Sequence, residues 1–371
     1  MSSTRVIRIV LGISAPLLAL VAAFLITSAV LYLADDPVLK VWDQLLSVPE
    51  ARNVGNIVDN ATVLYLSGLA AAIGFRMNLF NIGVDGQYRI AAFVAAVVAG
   101  EAWLPGYLNT FLAVLCAMAV GALWAGIAGV LRATRGVSEV ISTIMLNAIA
   151  TGLVAYLLRK ASEQAEGSNV VATKTIPEDS WLPSITISDG PPVVDVYGFV
   201  VIAVVMGLLY WFVLNKTRFG FDLRATGRST TAAVASGVSV NKMIVAAMML
   251  SGAMAGLVGM PILLGSSHNY GSTFQSGLGF AGIAIALLGR NNAVGIGVGA
   301  LLFAFLDEQS NPLQILVGVS PDIVAITQGV IVLTVVISYE VVRRYGVRLE
   351  QQAVARALEQ ERSTQKKEVS A

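Results

Sequence analysis

Residues 9–33 read IVLGISAPLLALVAAFLITSAVLYL, a run without a single charged residue. A helix needs about 20 mainly apolar residues to cross a bilayer. The core of a secretory signal peptide has only about 7–15 apolar residues, and no clear cleavage site follows this run. Arg5 and Arg8 precede it. We therefore expect a first membrane span that is retained, and comparable apolar runs recur along the chain.

The composition extends this conclusion to the whole sequence. Of its 371 residues, 56% are hydrophobic and 13% are charged, and the mean hydropathy is +0.76. Soluble domains carry about 25% charged residues, so an ordinary soluble enzyme and a disordered chain are excluded. The net charge of +1, from 24 basic and 23 acidic residues, provides no field that would attract a nucleic acid. The sequence predicts an all-α polytopic membrane protein.

We expect about ten membrane-spanning helices. The apolar runs lie near 9–33, 60–76, 86–104, 108–131, 139–159, 196–214, 243–265, 277–289, 293–306 and 322–342. The number would be eight if 277–306 formed re-entrant segments instead of two short helices. Either number is even, so both termini are expected on the same side of the membrane.

Charged residues in the loops indicate which side that is. Basic residues cluster in 132–138, 215–242 and 343–348. The opposite loops carry the acidic residues Asp35, Asp36, Asp43, Glu50, Glu163, Glu166, Glu178, Asp179, Asp189, Asp195, Asp307 and Glu308. Because cytoplasmic loops carry an excess of Lys and Arg, we expect both termini in the cytoplasm.

The chain divides into a membrane domain, 1–345, and a polar cytoplasmic tail, 346–371. The membrane domain includes an outer segment at 160–195 and a cytoplasmic loop at 215–242. Proline and glycine residues in the outer segment favour an irregular cap over a folded domain. The tail is expected to extend the last helix and to fray near Ser363.

Two stretches of small residues resemble each other, LSGLAAAIG at 66–74 and LSGAMAGLVG at 250–259. The first would run inward and the second outward, so the chain would contain two inverted halves of five spans each. In transporters of this kind the solute path follows the interface between the halves. The alternative is chance similarity, since Gly, Ala and Ser recur wherever membrane helices pack closely.

The stretch FRMNLFNIGVDGQ at 75–87 interrupts two apolar runs with polar residues and glycines. Non-helical backbone at membrane depth is tolerated only when it is buried in protein or lines a cavity. Asn81, Asp85 and Gln87 could satisfy the freed backbone groups or hydrogen-bond a polar solute. The alternative is a cytoplasmic turn in which Asp85 pairs with Arg76 or Arg89.

A second polar stretch, GVSEVISTIMLN at 136–147, opens an apolar helix. Ser138 suits the N-cap position, and Glu139 suits the positive end of the helix dipole. Asn147 lies about two turns inside this helix, where its amide needs a partner. A hydrogen bond to another helix and a contact with a solute are both open roles for it.

The polar loop GFDLRATGRSTTAAVASGV at 220–238 predicts a short helix. Ser229 or Thr230 can cap its start, and Gly237 suits its end. About two turns are too few to span a bilayer. Its small side chains would let it enter a groove on a partner protein. The alternative is a surface loop that is ordered only by its own caps.

The glycines of GLGFAGIAIALLGRN at 277–291 indicate close packing between helices. No phosphate-binding loop is present, and the glycines at 295–299 do not follow a strand as a dinucleotide-binding turn would, so we expect no cofactor in this chain. Its single cysteine and single histidine, Cys116 and His268, cannot form a metal cluster or a catalytic triad. We expect His268 in a solvated outer turn.

In this order, the stretches FNIGVDGQ, GVSEVISTIMLN, LRATGRSTTAAVASGVSV and GLGFAGIAIALLGRNN resemble the permease subunits of ATP-binding-cassette (ABC) importers for simple sugars and nucleosides. The larger grouping includes branched-chain amino-acid permeases. The resemblance covers residues 60–310 and is closest to the nucleoside branch. One difference is Asp85, where glutamate is usual.

The resemblance implies a transport subunit that is not an enzyme and that lies in the bacterial cell membrane. It assigns the translocation path to Phe80, Asn81, Asp85, Gln87, Asn147 and Phe280. It assigns the docking of an ATPase to Arg224, Ala225, Thr226, Gly227, Arg228, Ala233 and Gly237.

The resemblance also implies partners: a second, non-identical permease subunit, cytoplasmic ATPase subunits that bind ATP and Mg, and an extracytoplasmic solute-binding protein. The expected solute is a nucleoside. Two alternatives stay open, the same machinery importing a simple sugar such as ribose, and an ion-coupled secondary transporter with Asp85 as its coupling site.

Overall fold

The computed structural model describes residues 2–162, 171–188, 190 and 192–369, and these are mainly helical. The longer helices are α1 (Ser2–Leu33), α2 (Val38–Leu45), α3 (Ala51–Arg76), α4 (Val84–Glu101), α5 (Tyr107–Arg135), α6 (Glu139–Ala161), α7 (Phe199–Lys216), α8 (Arg218–Arg228), α10 (Val240–Gly256), α12 (Leu278–Leu288), α13 (Ala293–Ser310) and α15 (Asp322–Val369). The short ones are α9 (Thr230–Ala235), α11 (Met260–Ile262) and α14 (Leu313–Leu316), with a 3₁₀ turn at Glu178–Ser180 and a π-helical turn at Leu263–Ser267.

Seven helices in the described part of the chain are long and apolar enough to cross a membrane. They are Ala51–Arg76, Tyr107–Arg135, Glu139–Ala161, Phe199–Lys216, Val240–Ser267, Ala293–Ser310 and Asp322–Val342. The protein is therefore a polytopic, mainly helical membrane protein.

Three of the ten expected spans are not among these seven helices: α1, whose apolar segment is Leu18–Leu33, α4 and α12. The helix α4 has 18 residues but carries three charged ones, Asp85, Arg89 and Glu101. The helix α12 has 11 residues and is about 16 Å long, roughly half the thickness of the hydrocarbon core. Region 277–306 thus consists of one half-length helix, α12, followed by most of a longer one, α13.

The contacts divide the chain into two units, and the larger one comprises Leu46–Gln309. Its helix α3 is largely buried and packs against α7, α10 and α12. The helices α5 and α10 meet along small residues, since Gly121 lies directly against the backbone of Gly252. A side chain at either glycine would collide with the facing helix, as the small-residue pattern predicts.

The second unit comprises residues 1–45 and 310–371, in which α1 packs along α15. The indole of Trp42 on α2 lies 4.7 Å from the ring of Phe24 and donates a hydrogen bond to Ser28 Oγ at 2.9 Å. The helix α15 continues to Val369, so the fraying expected near Ser363 is wrong. Its polar end is rich in Gln, Glu, Lys, Arg and Ala, which are good helix formers in water.

The segment expected to form an irregular cap contains an ordered hairpin. Strands β1 (Ser184–Ser188) and β2 (Val194–Tyr197) pair antiparallel, with Ser184 opposite Tyr197. Both strands are rich in Ile, Val and Thr, which favour strands, and the sequence analysis gave this pattern too little weight. The expected acidic positions Glu163, Glu166 and Asp189 lie outside the described residues.

Residues 171–182 are tied to residues 264–272 by backbone hydrogen bonds. The amide of Thr173 donates to the carbonyl of Tyr270 at 3.0 Å, and that of Ile176 donates to His268 at 2.8 Å. The His268 ring stacks on Trp181, with centroids 3.6 Å apart. His268 is therefore packed in a half-buried turn, and the expectation of a solvated histidine is wrong.

Candidate functional site

The chain turns back into the protein between α3 and α4. After Arg76, the amides of Met77 and Leu79 both donate to the carbonyl of Gly74, at 2.9 and 3.0 Å. The side chain of Asn81 then lies against Gly74 as well. The residues between the two helices therefore run back along the last turn of α3, and Asn81 is 1% exposed.

Two buried amides close this segment by binding each other. Asn81 Nδ2 donates to Gln87 Oε1 and Gln87 Nε2 donates to Asn81 Oδ1, each at 2.9 Å. Asn81 also donates to Ser251 Oγ at 2.8 Å and accepts from the amide of Gly83 at 3.0 Å. Since every polar atom of the Asn81 side chain has a partner, the segment can leave helical geometry without leaving this amide unsatisfied.

Asp85 connects the non-helical segment between α3 and α4 to a second non-helical segment, which precedes α12. Its Oδ1 accepts a hydrogen bond from the amide of Gly277 at 2.9 Å, and one turn later the hydroxyl of Tyr88 donates to the carbonyl of Gln275 at 2.8 Å. Gly279 lies directly against the backbone of Asp85, which leaves no room for a side chain. The hydrogen bonds of Asp85 go to this second segment rather than to Arg76 or Arg89.

Asn147 fixes the same segment from α6. Its Oδ1 accepts from the amide of Gly86 and its Nδ2 donates to the carbonyl of Ile82, each at 2.9 Å. The amide thus joins α6 to the residues that open α4, and it makes both bonds with backbone groups. Asn147 is half-buried.

The start of α6 is not capped by a serine side chain, as was expected, but is held by other contacts. Ser138 occupies the N-cap position, but its side chain makes no cap hydrogen bond. Glu139 is buried instead, forms an ion pair with Arg132 Nε at 3.3 Å and accepts from the amide of Phe80 at 3.4 Å. The acidic residue at this position therefore ties α5 to the residues after α3.

Among the residues expected to line the path, Phe80 and Phe280 are exposed, at 45% and 53%. Asn81, Asp85 and Gln87 are buried. The structure thus brings Asn81, Asp85, Gln87 and Asn147 into one hydrogen-bonded cluster, whose amides bind protein groups.

Two serines that the sequence analysis did not single out complete this cluster. Ser67 Oγ donates to the carbonyl of Leu278 at 2.8 Å, and Ser251 Oγ donates to that of Ala70 at 2.6 Å. Both are fully buried. They are the serines of the two similar LSG stretches, so that similarity was the signal that could have identified them.

The end of α12 is attached to the end of α3. Arg76 donates from Nε and Nη2 to the carbonyl of Asn291, at 3.0 and 2.6 Å, and the hydroxyl of Tyr210 donates to the same carbonyl at 2.7 Å. With the bond between Ser67 and Leu278 at its other end, α12 lies alongside the last turns of α3. No local sequence pattern indicates this contact.

The polar loop at 215–242 forms two helices, α8 and α9. Ser229 caps α9 by accepting from the amide of Ala232 at 3.2 Å, and Gly237 after its end has a φ of 81°. The short helix and both of its end signals are therefore present as expected. Thr217 caps the unexpected helix α8 by accepting from Gly220 at 3.2 Å.

The expected docking residues differ in exposure. Arg228 and Gly237 are exposed, Arg224, Ala225 and Gly227 are half-buried, and Thr226 and Ala233 are buried. Two apolar side chains that the sequence analysis did not select, Phe221 and Val234, are 62% and 61% exposed.

Gly227 packs against the end of α3. A Cβ at this position would lie 2.7 Å from the carbonyl oxygen of Arg76 and 2.8 Å from Cα of Met77. A polar cavity of about 330 Å³ opens beside it, and its lining includes Asn78, Arg132 and Arg228. The helix α8 is therefore in direct contact with the residues that lead into the buried cluster.

A larger groove of about 600 Å³ runs between α3, α7 and α13 and is lined mainly by apolar residues, among them Val58, Val204 and Leu301. It contains none of the residues of the polar cluster. Among the described residues, no group of three His, Cys, Asp or Glu side chains is placed to hold a metal ion.

Comparisons with known proteins identify the family of the chain. Residues 53–337 match the sequence model of a family described as branched-chain amino acid transport system / permease component. The chain is 36% identical over 339 residues to the guanosine ABC transporter permease protein NupP of Bacillus subtilis (strain 168), covering 90% of this chain and 93% of that relative.

Two further relatives are more distant. The glucose ABC transporter permease protein TsgB13 of Haloferax volcanii is 33% identical over 296 residues, which cover 78% of this chain and 77% of that protein. The guanosine ABC transporter permease protein NupQ of Bacillus subtilis (strain 168) is 28% identical over 269 residues, 69% of this chain and 82% of that protein. No solved structure matches the chain.

Proposed function

The chain belongs to the family of branched-chain amino acid transport system permease components and is a permease subunit of an ABC transporter, and we propose that it imports nucleosides. This proposal rests on the contact between two polar, non-helical segments inside the membrane domain. Asp85 and Tyr88 bind the backbone of Gly277 and Gln275, so the segments after α3 and before α12 form one polar centre. Discontinuous helices that meet in this way characterise solute sites of transporters.

The nucleoside is proposed because NupP and NupQ are named for guanosine. A nucleoside needs hydrogen-bonding groups for its base edges and hydroxyls and an apolar face for its ring. The exposed rings of Phe80 and Phe280 could supply such a face. The second candidate is a simple sugar, which TsgB13, named for glucose, favours.

The proposed roles within the path follow from exposure. Asn81, Asp85, Gln87 and Asn147 act by positioning, since they hold the interrupted backbone in place. Phe80 and Phe280 face the space through which a solute would pass. An ion-coupled mechanism through Asp85 is not proposed, because that carboxylate is engaged by the amide of Gly277 and the family is one of ABC permeases.

The proposed topology has ten membrane segments, with α12 as a half-length one, and both termini in the cytoplasm of a bacterial cell. The basic loops at 132–138 and 215–242 support this orientation. The proposed inverted repeat pairs the stretch at 66–74 with that at 250–259. The equivalent roles of Ser67 and Ser251, each of which bonds a carbonyl on a neighbouring helix, support it.

The proposed partners are a second permease, cytoplasmic ATPases that bind ATP and Mg, and a solute-binding protein outside the membrane. Bacillus subtilis has two different guanosine permeases that the chain resembles, which supports a non-identical second subunit. The surface of α8 and α9 with Arg228, Phe221 and Val234 is the proposed dock for an ATPase, because Phe221 and Val234 are large exposed apolar side chains on an otherwise polar loop.

Uptake competition tests the nucleoside. Cells that carry this chain should accumulate labelled guanosine, and cells from which it is deleted should lose that uptake. Excess unlabelled nucleosides should compete with the label, whereas glucose and ribose should not. Retained guanosine uptake in the deleted cells, together with a loss of sugar uptake, would overturn the nucleoside proposal in favour of the sugar.

A further inference from the structure

The segment that leads into α12, residues 268–277, presents polar side chains on the surface of the larger unit. We call it the α12 linker. Ser272, Thr273, Gln275 and Ser276 are all exposed, although the backbone of Gln275 is held by Tyr88. The linker is therefore fixed in position while its polar side chains remain available.

The position of the linker's end along α3 indicates a depth near the middle of the membrane. Leu278, directly after it, is bonded to Ser67, and α3 ends at Arg76. Nine residues separate Ser67 from Arg76, which is about 13 Å along a helix, whereas the hydrocarbon core is about 30 Å thick. Gln275 and Ser276, the exposed polar residues closest to this depth, would be costly against lipid, so they require a water-filled space or a polar partner.

Arg89 lies next to the same surface. Its Nη1 donates to Thr151 Oγ1 on α6 at 2.9 Å, and its guanidinium also lies beside the hydroxyl of Tyr270 in the linker. Arg89 is half-buried, and its Nε is a buried atom without a hydrogen-bond partner. Within the described residues Arg89 forms no ion pair, and Asp85 one turn earlier bonds Gly277 instead.

A charge in this position indicates water. An arginine at bilayer depth is stabilised by another charge, by polar groups of the protein or by a water-filled cavity. Arg89 is half-buried, and its partners among the described residues are the hydroxyls of Thr151 and Tyr270, so the exposed part of its guanidinium still needs water or a polar ligand. The polar linker and the unpaired guanidinium thus point independently to the same hydrated surface.

We propose that the α12 linker and Arg89 form a water-filled vestibule in which the transported solute is held. The linker offers hydroxyls and an amide that can both donate and accept, and Arg89 offers donors in a planar fork. Phe280, one turn beyond the linker's end, adds an exposed ring. The surface therefore fits a neutral solute with acceptor oxygens or nitrogens and one flat apolar face. The inference rests on the proposed function, since a nucleoside is such a solute.

Thiol labelling tests the vestibule, because Cys116 is the only cysteine in the chain. In a Cys116→Ala background, Gln275→Cys and Ser276→Cys are introduced one at a time into the assembled transporter. A membrane-impermeant methanethiosulfonate cation is added, and the modification rate is followed by mass. Only a thiol in contact with water ionises and reacts readily, so both positions should be labelled.

Two matched positions calibrate the rates. Glu101→Cys, at the exposed end of α4, reports a thiol in water, and Leu208→Cys, on the exposed apolar face of α7, reports a thiol against lipid. The linker thiols should react within about tenfold of the first control and at least about 100-fold faster than the second. Rates at Gln275→Cys and Ser276→Cys that equal the lipid-facing rate would overturn the vestibule, including the case in which a second permease covers this surface.

Protection of the thiols from labelling by a bound solute tests the existence of the vestibule and the identity of the solute separately. Guanosine should slow labelling of Gln275→Cys but not of Glu101→Cys. Labelling that glucose slows and guanosine does not would support the vestibule and overturn the nucleoside. Labelling that no solute slows, in a transporter that still imports guanosine, would overturn the proposed solute contact.

Arg89→Gln tests the contribution of the cation with the same readout. We expect unchanged labelling of Gln275→Cys, which shows that the fold and the water remain. The guanosine concentration that halves the labelling rate should rise at least about tenfold, because a charged donor is lost, and Arg89→Lys should recover part of the loss. An unchanged concentration for half-protection in Arg89→Gln would overturn the role of Arg89 in holding the solute.

Discussion

Asn81 and Gln87 exchange two hydrogen bonds in an interior from which water is excluded. Amides in such a place contribute most through the penalty that follows when one of them is removed, since its partner is left unsatisfied. The pair also determines where α4 begins, because Asn81 accepts from the amide of Gly83.

Substitution of this pair should therefore be strongly non-additive. Asn81→Leu should lower the free energy of unfolding by about 1–3 kcal/mol, because Gln87 and the amide of Gly83 lose their partner. Addition of Gln87→Leu should cost less than the sum of the two single substitutions, since no amide side chain is then left unpaired. Thermal unfolding of the four proteins in detergent provides the measurement.

The exposed amide Asn241, in the first turn of α10, is the matched control for this series. Asn241→Leu should change the unfolding midpoint little, because a substitution away from buried networks usually costs less than about 0.5 kcal/mol. Additive losses for Asn81→Leu and Gln87→Leu would contradict the account of a mutually satisfied pair.

The residues of this cluster could be selected from the sequence, but their partners could not. Amides and a carboxylate between two apolar runs mark Asn81, Asp85 and Gln87 as unusual. That Asp85 bonds the amide of Gly277, 192 residues away, depends on how α4 and α12 pack and is not encoded in any local pattern. For the same reason the pairing of Arg76 with the carbonyl of Asn291 was not predicted.

In the proposed complex, α8 would pass movement of a docked ATPase to the end of α3. Gly227 touches the backbone of Arg76 and Met77, and Arg76 holds the end of α12 through Asn291. A large residue at Gly227 would displace α3 itself. A loss of transport in such a variant would not distinguish docking from a disturbed membrane domain.

Val234 is the better position at which to test docking. Its side chain is 61% exposed on α9, so Val234→Asp should leave the unfolding midpoint unchanged. The charge should remove an apolar contact with the ATPase, and co-purification of the ATPase and ATP-dependent uptake should both fall. Val234→Leu, which keeps an apolar surface, is the matched control. Full ATPase binding by Val234→Asp would place the docking surface elsewhere.

The contact between residues 171–182 and 264–272 should depend on pH through His268. Burial lowers the pKa of His268 below its usual 6.5, so the folded state favours the neutral ring that stacks on Trp181. The unfolded state then binds more protons as the pH falls below 6.5, and stability should fall in that direction. Above 6.5 it should be independent of this group.

Unfolding midpoints at about pH 5 and about pH 7.5 measure this dependence. His268→Phe keeps a flat ring on Trp181 and removes the titration, so it should reduce the difference between the two midpoints. An equal difference in the wild type and in His268→Phe would show that other groups cause it.

The few charged residues of the chain lie both in loops, where they indicate its orientation, and in the buried cluster, where they connect helices. Composition alone predicts a polytopic membrane protein, and seven described helices agree with it. It does not predict that α12 is only half as long as a span, because an apolar run of 11 residues followed by a turn also fits a re-entrant segment. The structure distinguishes these possibilities because it shows both ends of α12 attached to α3. Ser67 bonds the carbonyl of Leu278, and Arg76 bonds the carbonyl of Asn291.

The hairpin of β1 and β2 shows a second limit of prediction from the sequence. Alternating Ile, Thr and Val residues favour strands, yet nearby Pro and Gly residues indicate loops with similar strength. The pairing of Ser184 with Tyr197 resolves that conflict. Short strands in a loop between apolar helices are therefore the part of this fold that pattern reasoning predicts least well.

ATP-driven transport by the purified assembly bears on all of these conclusions together. This chain, a second permease and the ATPases would be reconstituted in vesicles together with the solute-binding protein, and the accumulation of labelled guanosine would be followed. We predict accumulation that requires ATP hydrolysis and is lost in the Val234→Asp variant. Accumulation of glucose but not guanosine, or uptake driven by an ion gradient in vesicles that contain this chain alone, would contradict the account.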